Sequence, residues 1–390
     1  MSVKGPVVKY RICVQCVMDT SDPEISFNSE GICSHCLSYP GKKRAFILPG
    51  EQRKKRLEEF VASCKKKGKG KPYDCVIGVS GGVDSTYVAW LVKSLGLRPL
   101  AVHLDNGWNS ELSVSNIKGV LAKLNIDLYT HVLEWEEFKS LQLAFLRAST
   151  PDSEIPSDHA IVALMRQIAD KYRVPVIWGV NFSSEAILPR AWSQGHMDWG
   201  YIRRVNRLFG TKKLHDYPHY SVWKLIYYQR IRRQETFDIL NYIDYDKESA
   251  KIFLINELGW RDYGGKHNES IYTRIFQSYI LPVKFGYDKR RAHYSSLILA
   301  GQMTRKEALI LMKEPPFSND TIAEDIDYLI KKLGIDREEF NKIMKEKAKK
   351  YDDYKPILYN KIRNTEYRLF GTLFKVRRDL IKISGKILNH

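Results

Sequence analysis

A loop with two glycines, SGGVDS at residues 80–85, stands directly between two apolar segments of different periodicity. Residues 74–79 form a continuous apolar run of strand length, and residues 86–95 repeat apolar side chains at helical spacing. Adjacent glycines let the backbone turn tightly and point its N–H groups at an anion held at the start of the helix. The lysine of a Walker motif is missing. We therefore expect a phosphate-binding loop whose contacts come from Ser80, Gly81, Gly82 and Ser85.

Strand-like and helix-like segments continue to alternate after this loop. The pattern predicts further strands at residues 100–104, 126–133 and 174–178, and further helices at residues 113–124, 135–147 and 158–172. Such alternation is typical of a doubly wound α/β fold, in which helices cover both faces of a parallel sheet. Ligands of these sheets bind beyond the carboxyl ends of the strands. From about residue 203 the sequence is aromatic and basic without a clear strand rhythm, so we expect it to be mostly helical.

Two Cys-x-x-Cys pairs lie close to the start of the sequence. They comprise Cys13, Cys16, Cys33 and Cys36. Four thiolates at this spacing can meet at one tetrahedral ion and organise a segment too short to have its own core. We predict a structural Zn²⁺ ribbon, because four protein ligands leave no open position; redox-active thiols or an iron–sulfur cluster are the alternatives. His35, inside the second pair, is expected at the surface rather than among the ligands.

Basic residues outnumber acidic ones, since 63 Lys and Arg against 45 Asp and Glu give a net charge of +18. Residues 42–71 carry twelve basic and three acidic side chains, and residues 203–233 carry nine and one. Such runs attract polyanions or acidic proteins, although a solvated surface is an equally good interpretation. No apolar stretch approaches the ~20 residues of a membrane span, and the first residues lack the apolar core of a signal peptide. We therefore expect a soluble, cytoplasmic protein.

The SGGVDS loop in this context resembles the signature of the PP-loop ATP pyrophosphatases, which cleave ATP between its α and β phosphates. The resemblance implies that the loop holds the departing pyrophosphate while the α phosphate passes to a substrate oxygen. Asp84 would repel the phosphates, so we expect it to coordinate Mg²⁺. Two later segments stand where this superfamily contacts its nucleotide, the second resembling G-x-N-x-x-x-D/E. Their candidate residues are Asp105, Gly179, Asn181 and Glu185.

An adenylating loop leaves the acceptor open. The basic charge and the cysteine pairs suggest a tRNA-modifying enzyme, and ammonia-dependent amidation of a small molecule is the other hypothesis. RNA thiolation calls for a spare cysteine at the cleft, and only Cys64, on a charged connector, and Cys75, in a predicted buried strand, remain. Thiolation therefore fits poorly, whereas adenylation of a tRNA base, as in lysidine formation, needs no cysteine and stays open.

Four segments of the second half carry a more specific resemblance. They are GWRDYGGKHNES at residues 259–270, YTRIFQSY at 272–279, KFGYDKR at 284–290 and GQMTRKEA at 301–308. Together with the cysteine pairs and SGGVDS, they resemble the N-acetyl sugar amidotransferase family of lipopolysaccharide and O-antigen biosynthesis over nearly the whole chain. The resemblance implies an enzyme that uses ATP and ammonia to convert the N-acetyl group of a nucleotide-linked amino sugar, such as a UDP-diacetamido-uronic acid, into an acetamidino group.

The resemblance also implies partners and site residues. Ammonia would come from a separate glutaminase similar to the paired subunits of histidine biosynthesis, and nucleic acid is not expected as a partner. Basic side chains would stabilise charge on the phosphates or grip the diphosphate and uronate of the substrate, and other groups would move protons. The expected catalytic residues are Asp84, Lys266, His267, Glu269 and Arg274, and the expected substrate-binding residues are Lys284, Lys289 and Arg290. Each of these except Asp84, taken alone, could equally be a solvent-facing helix residue.

The changes of pattern along the chain divide it into four expected units. They are a zinc ribbon at residues 1–40, a charged helical connector at 41–72, a PP-loop ATP pyrophosphatase domain at 73–200 and a mostly helical substrate or partner region at 201–390.

Overall fold

The computed structural model of the chain describes residues 9–264, 269–317 and 319–354. Five strands form one sheet in the order β3-β2-β1-β4-β5, and every neighbouring pair is parallel. The strands are β1 (Cys75–Gly78), β2 (Pro99–Asp105), β3 (Asp127–Val132), β4 (Val176–Trp178) and β5 (Thr236–Asp238). The doubly wound α/β fold predicted from the sequence is therefore confirmed.

Helices precede, separate and follow these strands. They are α1 (Ser34–Phe46), α2 (Gly50–Gly68), α3 (Val83–Ser94), α4 (Glu111–Leu124), α5 (Trp135–Arg147), α6 (Ile155–Tyr172), α7 (Phe182–Glu185), α8 (Trp199–Phe209), α9 (Val222–Ile226), α10 (Lys247–Leu258), α11 (Ile271–Ile275), α12 (Lys289–Ala300), α13 (Arg305–Leu311), α14 (Asn319–Leu333) and α15 (Arg337–Lys345). Two π-helical segments, Tyr227–Ile231 and Phe276–Phe285, continue α9 and α11, and short 3-10 turns cover Ile239–Tyr242 and Tyr351–Asp353. Within the described ranges, no helix combines the length and apolar character needed to cross a membrane.

Neighbouring residues of the central strands enter two different cores. Val76 and Val176 pack into the core that α5, α6 and α8 cover, whereas Ile77 and Ile177 pack into the core that α3, α4 and α10 cover. All four side chains are fully buried. A sheet that is covered on both faces needs apolar residues at consecutive positions, which is why these strands read as continuous apolar runs.

One strand comes from a region where the sequence indicated none. β5 pairs with β4, so the α/β unit continues past residue 200. A three-residue strand is too short to show a periodic pattern, which explains why the sequence did not reveal it. Phe237 of β5 stacks on Phe60 of α2, with ring centroids 3.9 Å apart. The charged helix α2 is therefore packed on the sheet through its apolar side.

The cysteine-bearing segment packs against the helical second half of the chain. Arg305 donates to the carbonyl oxygens of Cys13 and Cys16 at 2.8 and 3.0 Å. Arg291 donates to the Val17 carbonyl at 2.9 Å. The small core that joins the two parts includes Ile187, Trp192 and Ala292. The segment is therefore fixed on α12 and α13 rather than separate in space.

Candidate active site

The SGGVDS loop turns at the carboxyl end of β1 and leads into α3. Gly81 has a φ of +84°, and a Cβ at this position would lie 2.7 Å from the Ser113 carbonyl oxygen. Glycine alone satisfies both constraints, because it tolerates the left-handed region and has no Cβ. The Trp260 indole N–H donates to the Gly81 carbonyl at 2.8 Å. The sequence indicated the glycine but not this anchor, which comes from 179 residues away.

Two serine hydroxyls brace the loop. Ser80 Oγ and Ser85 Oγ are 3.2 Å apart, and Ser85 Oγ donates to the Gly82 carbonyl at 3.2 Å. The Gly82 N–H donates to Ser80 Oγ at 3.3 Å. The loop thus has a defined shape, and it leads directly into the first turn of α3 at the ligand edge of the sheet. This arrangement fits a phosphate group.

Two side chains from the second half of the chain stand over Gly82. A Cβ at this position would lie 3.1 Å from Tyr263 Oη and 3.4 Å from a carboxylate oxygen of Glu269. The Glu269 backbone is held by a hydrogen bond from the Ser110 N–H to the Glu269 carbonyl at 2.9 Å. Burial, and after it the Glu269 carboxylate, raises the pKa of Tyr263, so its hydroxyl stays protonated. The structure therefore brings the candidate Glu269 to the phosphate loop and adds Tyr263, which the sequence did not single out.

Asp84 lies in the first turn of α3, and its carboxylate has two partners. Tyr245 Oη donates to one oxygen at 2.5 Å, and the Lys247 ammonium lies 3.2 Å from the other. Burial, with Asp84 as the next cause, raises the pKa of Tyr245. A carboxylate oxygen is a ligand that Mg²⁺ prefers, and the contact with Lys247 brings a cation to this corner of the loop. Neither partner was identified from the sequence, because they approach from 161 and 163 residues away.

Asp105 ends β2 and caps the turn that follows it. One carboxylate oxygen accepts from the Gly107 N–H at 2.9 Å and from Asn109 Nδ2 at 3.1 Å. Asn109 Nδ2 also lies 3.1 Å from His103 Nε2, and His103 Nδ1 lies 2.9 Å from the Val79 carbonyl oxygen. These contacts connect the end of β2 with the residue that precedes the SGGVDS loop. Asp105 is thus at the expected edge of the sheet, where its carboxylate orders a turn.

Three further candidates follow β4 at the same edge, namely Gly179, Asn181 and Glu185. A Cβ at Gly179 would lie 3.7 Å from the Asp84 backbone, so this segment and α3 approach closely. Asn181 Oδ1 accepts from a backbone N–H of α7 at 2.9 Å. Its Nδ2 is buried and has no hydrogen-bond partner within the described residues, which fits a donor reserved for a ligand. Glu185 is exposed and lies close enough to Asp238, at the end of β5, to affect it. Burial, and after it the negative charge of Glu185, raises the pKa of Asp238.

Three basic candidates, one predicted to be catalytic and two predicted to bind the substrate, have internal partners. Arg274 donates to Asp325 at 2.6 and 3.1 Å, and Arg290 donates to Asp288 at 2.7 Å. Lys284 donates to a serine hydroxyl at 2.8 Å, and burial lowers the pKa of its ammonium to about 8. These contacts hold Arg274 and Arg290 within the helical region and Lys284 against the segment between α5 and α6, and none of them is to the SGGVDS loop. Two other candidates, Lys266 and His267, lie outside the described residues.

Lys289 lies among acidic side chains at the start of α6. Its ammonium is 2.9 Å from the Glu154 carboxylate. Burial, followed by neighbouring carboxylates, raises the pKa of Asp158 to about 8, although the residue keeps accessible surface. Ser157 Oγ accepts from Asn106 Nδ2 at 2.9 Å, so this cluster touches the segment that follows β2. The structure therefore places Lys289 near the ligand edge, paired with a carboxylate.

The cysteines of the two predicted pairs form one buried cluster. The Sγ atoms of Cys16 and Cys33 are 3.7 Å apart, those of Cys33 and Cys36 are 3.6 Å apart, and all four lie within 4.8 Å of one another. Tetrahedral zinc with bonds of about 2.3 Å needs sulfur atoms about 3.8 Å apart, so the cluster fits Zn²⁺. His35 is not part of it, because its Nε2 lies 2.7 Å from the Asp22 carboxylate. That contact makes His35 half-buried rather than a free surface residue.

Residues 269–365 match the family model described as "LPS biosynthesis protein WbpG-like, C-terminal domain". The resemblance to lipopolysaccharide biosynthesis proteins predicted from the sequence is thereby confirmed. The matched segment begins at Glu269, the residue that stands over Gly82 of the phosphate loop. No curated protein sequence matches the chain significantly.

The solved structures that match the chain include three with low TM-scores and low sequence identity. NMN synthetase from Francisella tularensis is 17% identical, with coverage of 57% of this chain and 99% of that chain and a TM-score of 0.28. NH3-dependent NAD synthetase from Campylobacter jejuni subsp. jejuni NCTC 11168, in complex with the nitrate ion, is 17% identical. The match covers 53% of this chain and 93% of that chain, with a TM-score of 0.27. A predicted subunit of tRNA methyltransferase from Methanocaldococcus jannaschii DSM is 14% identical. The match covers 46% of this chain and 74% of that chain, with a TM-score of 0.26.

At these TM-scores the assignment of the fold depends on the strand order and on the loop itself. The parallel sheet, the glycine loop between β1 and α3, and the family match agree with one another. The chain thus joins a segment that matches a WbpG-like C-terminal domain to a parallel α/β sheet that carries the SGGVDS loop.

Proposed function

We propose that this protein is an ATP-dependent, AMP-forming amidotransferase of lipopolysaccharide and O-antigen biosynthesis. Its substrate is a nucleotide-linked amino sugar, such as a UDP-diacetamido-uronic acid, and its product carries an acetamidino group. One observation carries the proposal: the WbpG-like segment begins at Glu269, whose carboxylate stands against Gly82 of the PP-loop. The lipopolysaccharide-type segment and the phosphate loop therefore contribute to the same site.

The chemistry requires activation of an unreactive amide. Its oxygen attacks the α phosphorus of ATP, the bond between that phosphorus and the bridging oxygen breaks, and pyrophosphate leaves. Ammonia then adds to the carbon of the O-adenylyl imidate, and AMP departs with the former amide oxygen. The nitrogen loses its extra proton to a base, which leaves the amidine.

The SGGVDS loop binds the departing pyrophosphate through its backbone N–H groups and the Ser80 and Ser85 hydroxyls. Glu269, whose carboxylate lies beside Gly82, would take the proton that the attacking ammonia loses, and the protonated Tyr263 hydroxyl lies next to the same glycine. Asp84 would hold Mg²⁺, which neutralises phosphate charge when it is bound. Lys247, 3.2 Å from Asp84, adds a positive charge from the protein.

The remaining candidates have supporting roles in this proposal. The nucleotide contacts come from the strand ends, and the free donor of Asn181 supports that assignment. Lys289 would bind the substrate by exchanging Glu154 for a substrate anion. The residues that instead position the helical region are Arg274, Lys284 and Arg290. Zn²⁺ in the cysteine cluster would hold α12, which begins at Lys289, in place. A separate glutaminase would supply the ammonia.

The proposal is tested by incubating the protein with ATP, Mg²⁺, ¹⁵N-ammonium and UDP-diacetamido-uronic acids, followed by mass spectrometry and nucleotide analysis. We expect AMP, and a sugar product in which one oxygen is replaced by labelled NH. Glu269→Gln should lower product formation at least about 100-fold, whereas Glu257→Gln, at an exposed position of α10, should not. Release of ADP and orthophosphate would contradict the proposal, and AMP formation only with tRNA would favour the tRNA-modifying alternative.

A further inference from the structure

A basic groove runs along α8 and the loop that follows it, with a volume of about 990 Å³. It shares no residue with the site around the SGGVDS loop. Its charged lining residues are Arg203, Arg204, Arg207, Lys212, Lys213, Asp352 and Asp353. Five cations against two carboxylates leave a clear positive excess in a concave surface.

The cations of this groove are not engaged by carboxylates. Within the part of the chain that the structure describes, none of the five takes part in an ion pair, and all five residues are exposed. Some arginines elsewhere in the described chain are neutralised, since Arg53 is paired with Asp244 and Arg232 with Asp170. The groove therefore concentrates basic groups that the fold has not neutralised.

The backbone that carries these cations is firmly held. α8 buries Tyr201, Ile202 and Val205 completely, so its basic face is turned outward. Ser140 Oγ accepts from the backbone N–H groups of Thr211 and Lys212 at 2.8 and 3.0 Å. A fixed backbone keeps these side chains close together, so an anion that binds them has to order the side chains only and not the chain that carries them.

The shape and the side chains point to a small phosphorylated ligand. Small-molecule sites have volumes of about 300–1,000 Å³, whereas protein partners bury flatter surfaces. Arginine forks match phosphate oxygens two at a time, and three of the five cations are arginines. Residues 355–390 carry nine Lys and Arg against two Asp and Glu, so their charge does not complement that of the groove.

We propose that the groove along α8 is a second anion site, which binds a diphosphate, either as free pyrophosphate or as part of a nucleotide. This site is separate from the PP-loop, and it does not depend on the reaction proposed above. A diphosphate offers several oxygens to the converging cations and carries a negative charge of similar size to the excess in the groove.

Isothermal titration of the full-length protein with inorganic pyrophosphate, and separately with UDP, tests this proposal. We expect Arg203→Ala/Arg204→Ala to lose one equivalent of bound pyrophosphate relative to the unaltered protein, or to bind that equivalent at least about tenfold more weakly. The matched control is Lys54→Ala/Lys55→Ala, which removes the same charge from exposed positions of α2. It should bind like the unaltered protein.

Pyrophosphate that binds to the PP-loop does not affect the test, because it binds equally to all three proteins. The test uses only the difference in bound pyrophosphate between each variant and the unaltered protein. If UDP competes for the same equivalent and binds more tightly, the ligand is a nucleotide; if pyrophosphate binds equally well, the diphosphate suffices. Equal stoichiometry and affinity in the groove variant would overturn the proposal, as would an equal loss in the control. A groove variant that loses affinity for tRNA while its pyrophosphate binding is unchanged would assign the groove to nucleic acid instead.

Discussion

The Lys247 ammonium lies 3.2 Å from the Asp84 carboxylate and connects the start of α10 with the first turn of α3. Tyr245 Oη donates to the same carboxylate at 2.5 Å. Asp84 is therefore held by two side chains that follow β5, and a metal ion at this position would have to share or replace these contacts. The first turn of α3 is in this way connected to the segment that leads into α10.

Removing the charge of Asp84 tests its metal role. Asp84→Asn should lower AMP formation at least about 100-fold, because an amide is a poor Mg²⁺ ligand, while the fold is retained. AMP release is measured by chromatography, and the melting temperature reports the fold. Glu58→Gln, at an exposed position of α2, serves as the control. An Asp84→Asn protein with full AMP formation would refute the metal role.

Gly81→Ala tests the shape of the phosphate loop. The substitution should destabilise the protein by about 2 kcal/mol or more, because it combines a φ of +84° with a Cβ 2.7 Å from the Ser113 carbonyl. Urea unfolding measures the free energy of unfolding. Gly119→Ala, in α4 with open space around the new Cβ, should instead stabilise by about 0.5–1 kcal/mol. Equal effects at both glycines would show that the loop is not constrained as described.

Cys16→Ser tests the metal cluster. Loss of one thiolate from a closed four-sulfur site should sharply reduce the zinc content and lower the melting temperature, because the segment loses its internal support. Elemental analysis and thermal unfolding are the measurements. Cys64→Ser, in α2 and outside the cluster, should keep its zinc. A Cys16→Ser protein that keeps both zinc and stability would show that the cluster is not a structural zinc site.

The raised pKa of Asp158 predicts a pH dependence of stability. Its pKa is about 8 in the folded protein against about 4 when unfolded, so between these values the folded state binds more protons. This contribution to stability is complete below about pH 4 and is lost as the pH rises towards 8. Asp158→Asn should therefore make the stability of the protein fall less steeply as the pH rises.

The check is the melting temperature between pH 5 and pH 8, compared with Asp127→Asn at the exposed edge strand β3. The control should follow the slope of the unaltered protein. An unchanged slope in Asp158→Asn would mean that this carboxyl is not the group that titrates.

Local patterns in the sequence determined the architecture around the loop. The continuous apolar runs predicted β1, β2 and β4 within about two residues, because a strand buried on both faces must be apolar at consecutive positions. Cys13, Cys16, Cys33 and Cys36 were predicted to meet and they do, since two short-spaced pairs leave little freedom. The glycines of SGGVDS likewise predicted a tight turn at the end of a strand, and Gly81 adopts a positive φ there.

Only the tertiary structure decided what surrounds that loop. Tyr263, Glu269, Tyr245 and Lys247 reach it through the packing of distant segments, which no local periodicity encodes. The same packing gave Arg274 and Arg290 internal carboxylate partners, although the sequence marked Arg274 for catalysis and Arg290 for the substrate. A sequence shows which charges exist, but long-range packing decides which of them neutralise one another and which remain for a ligand.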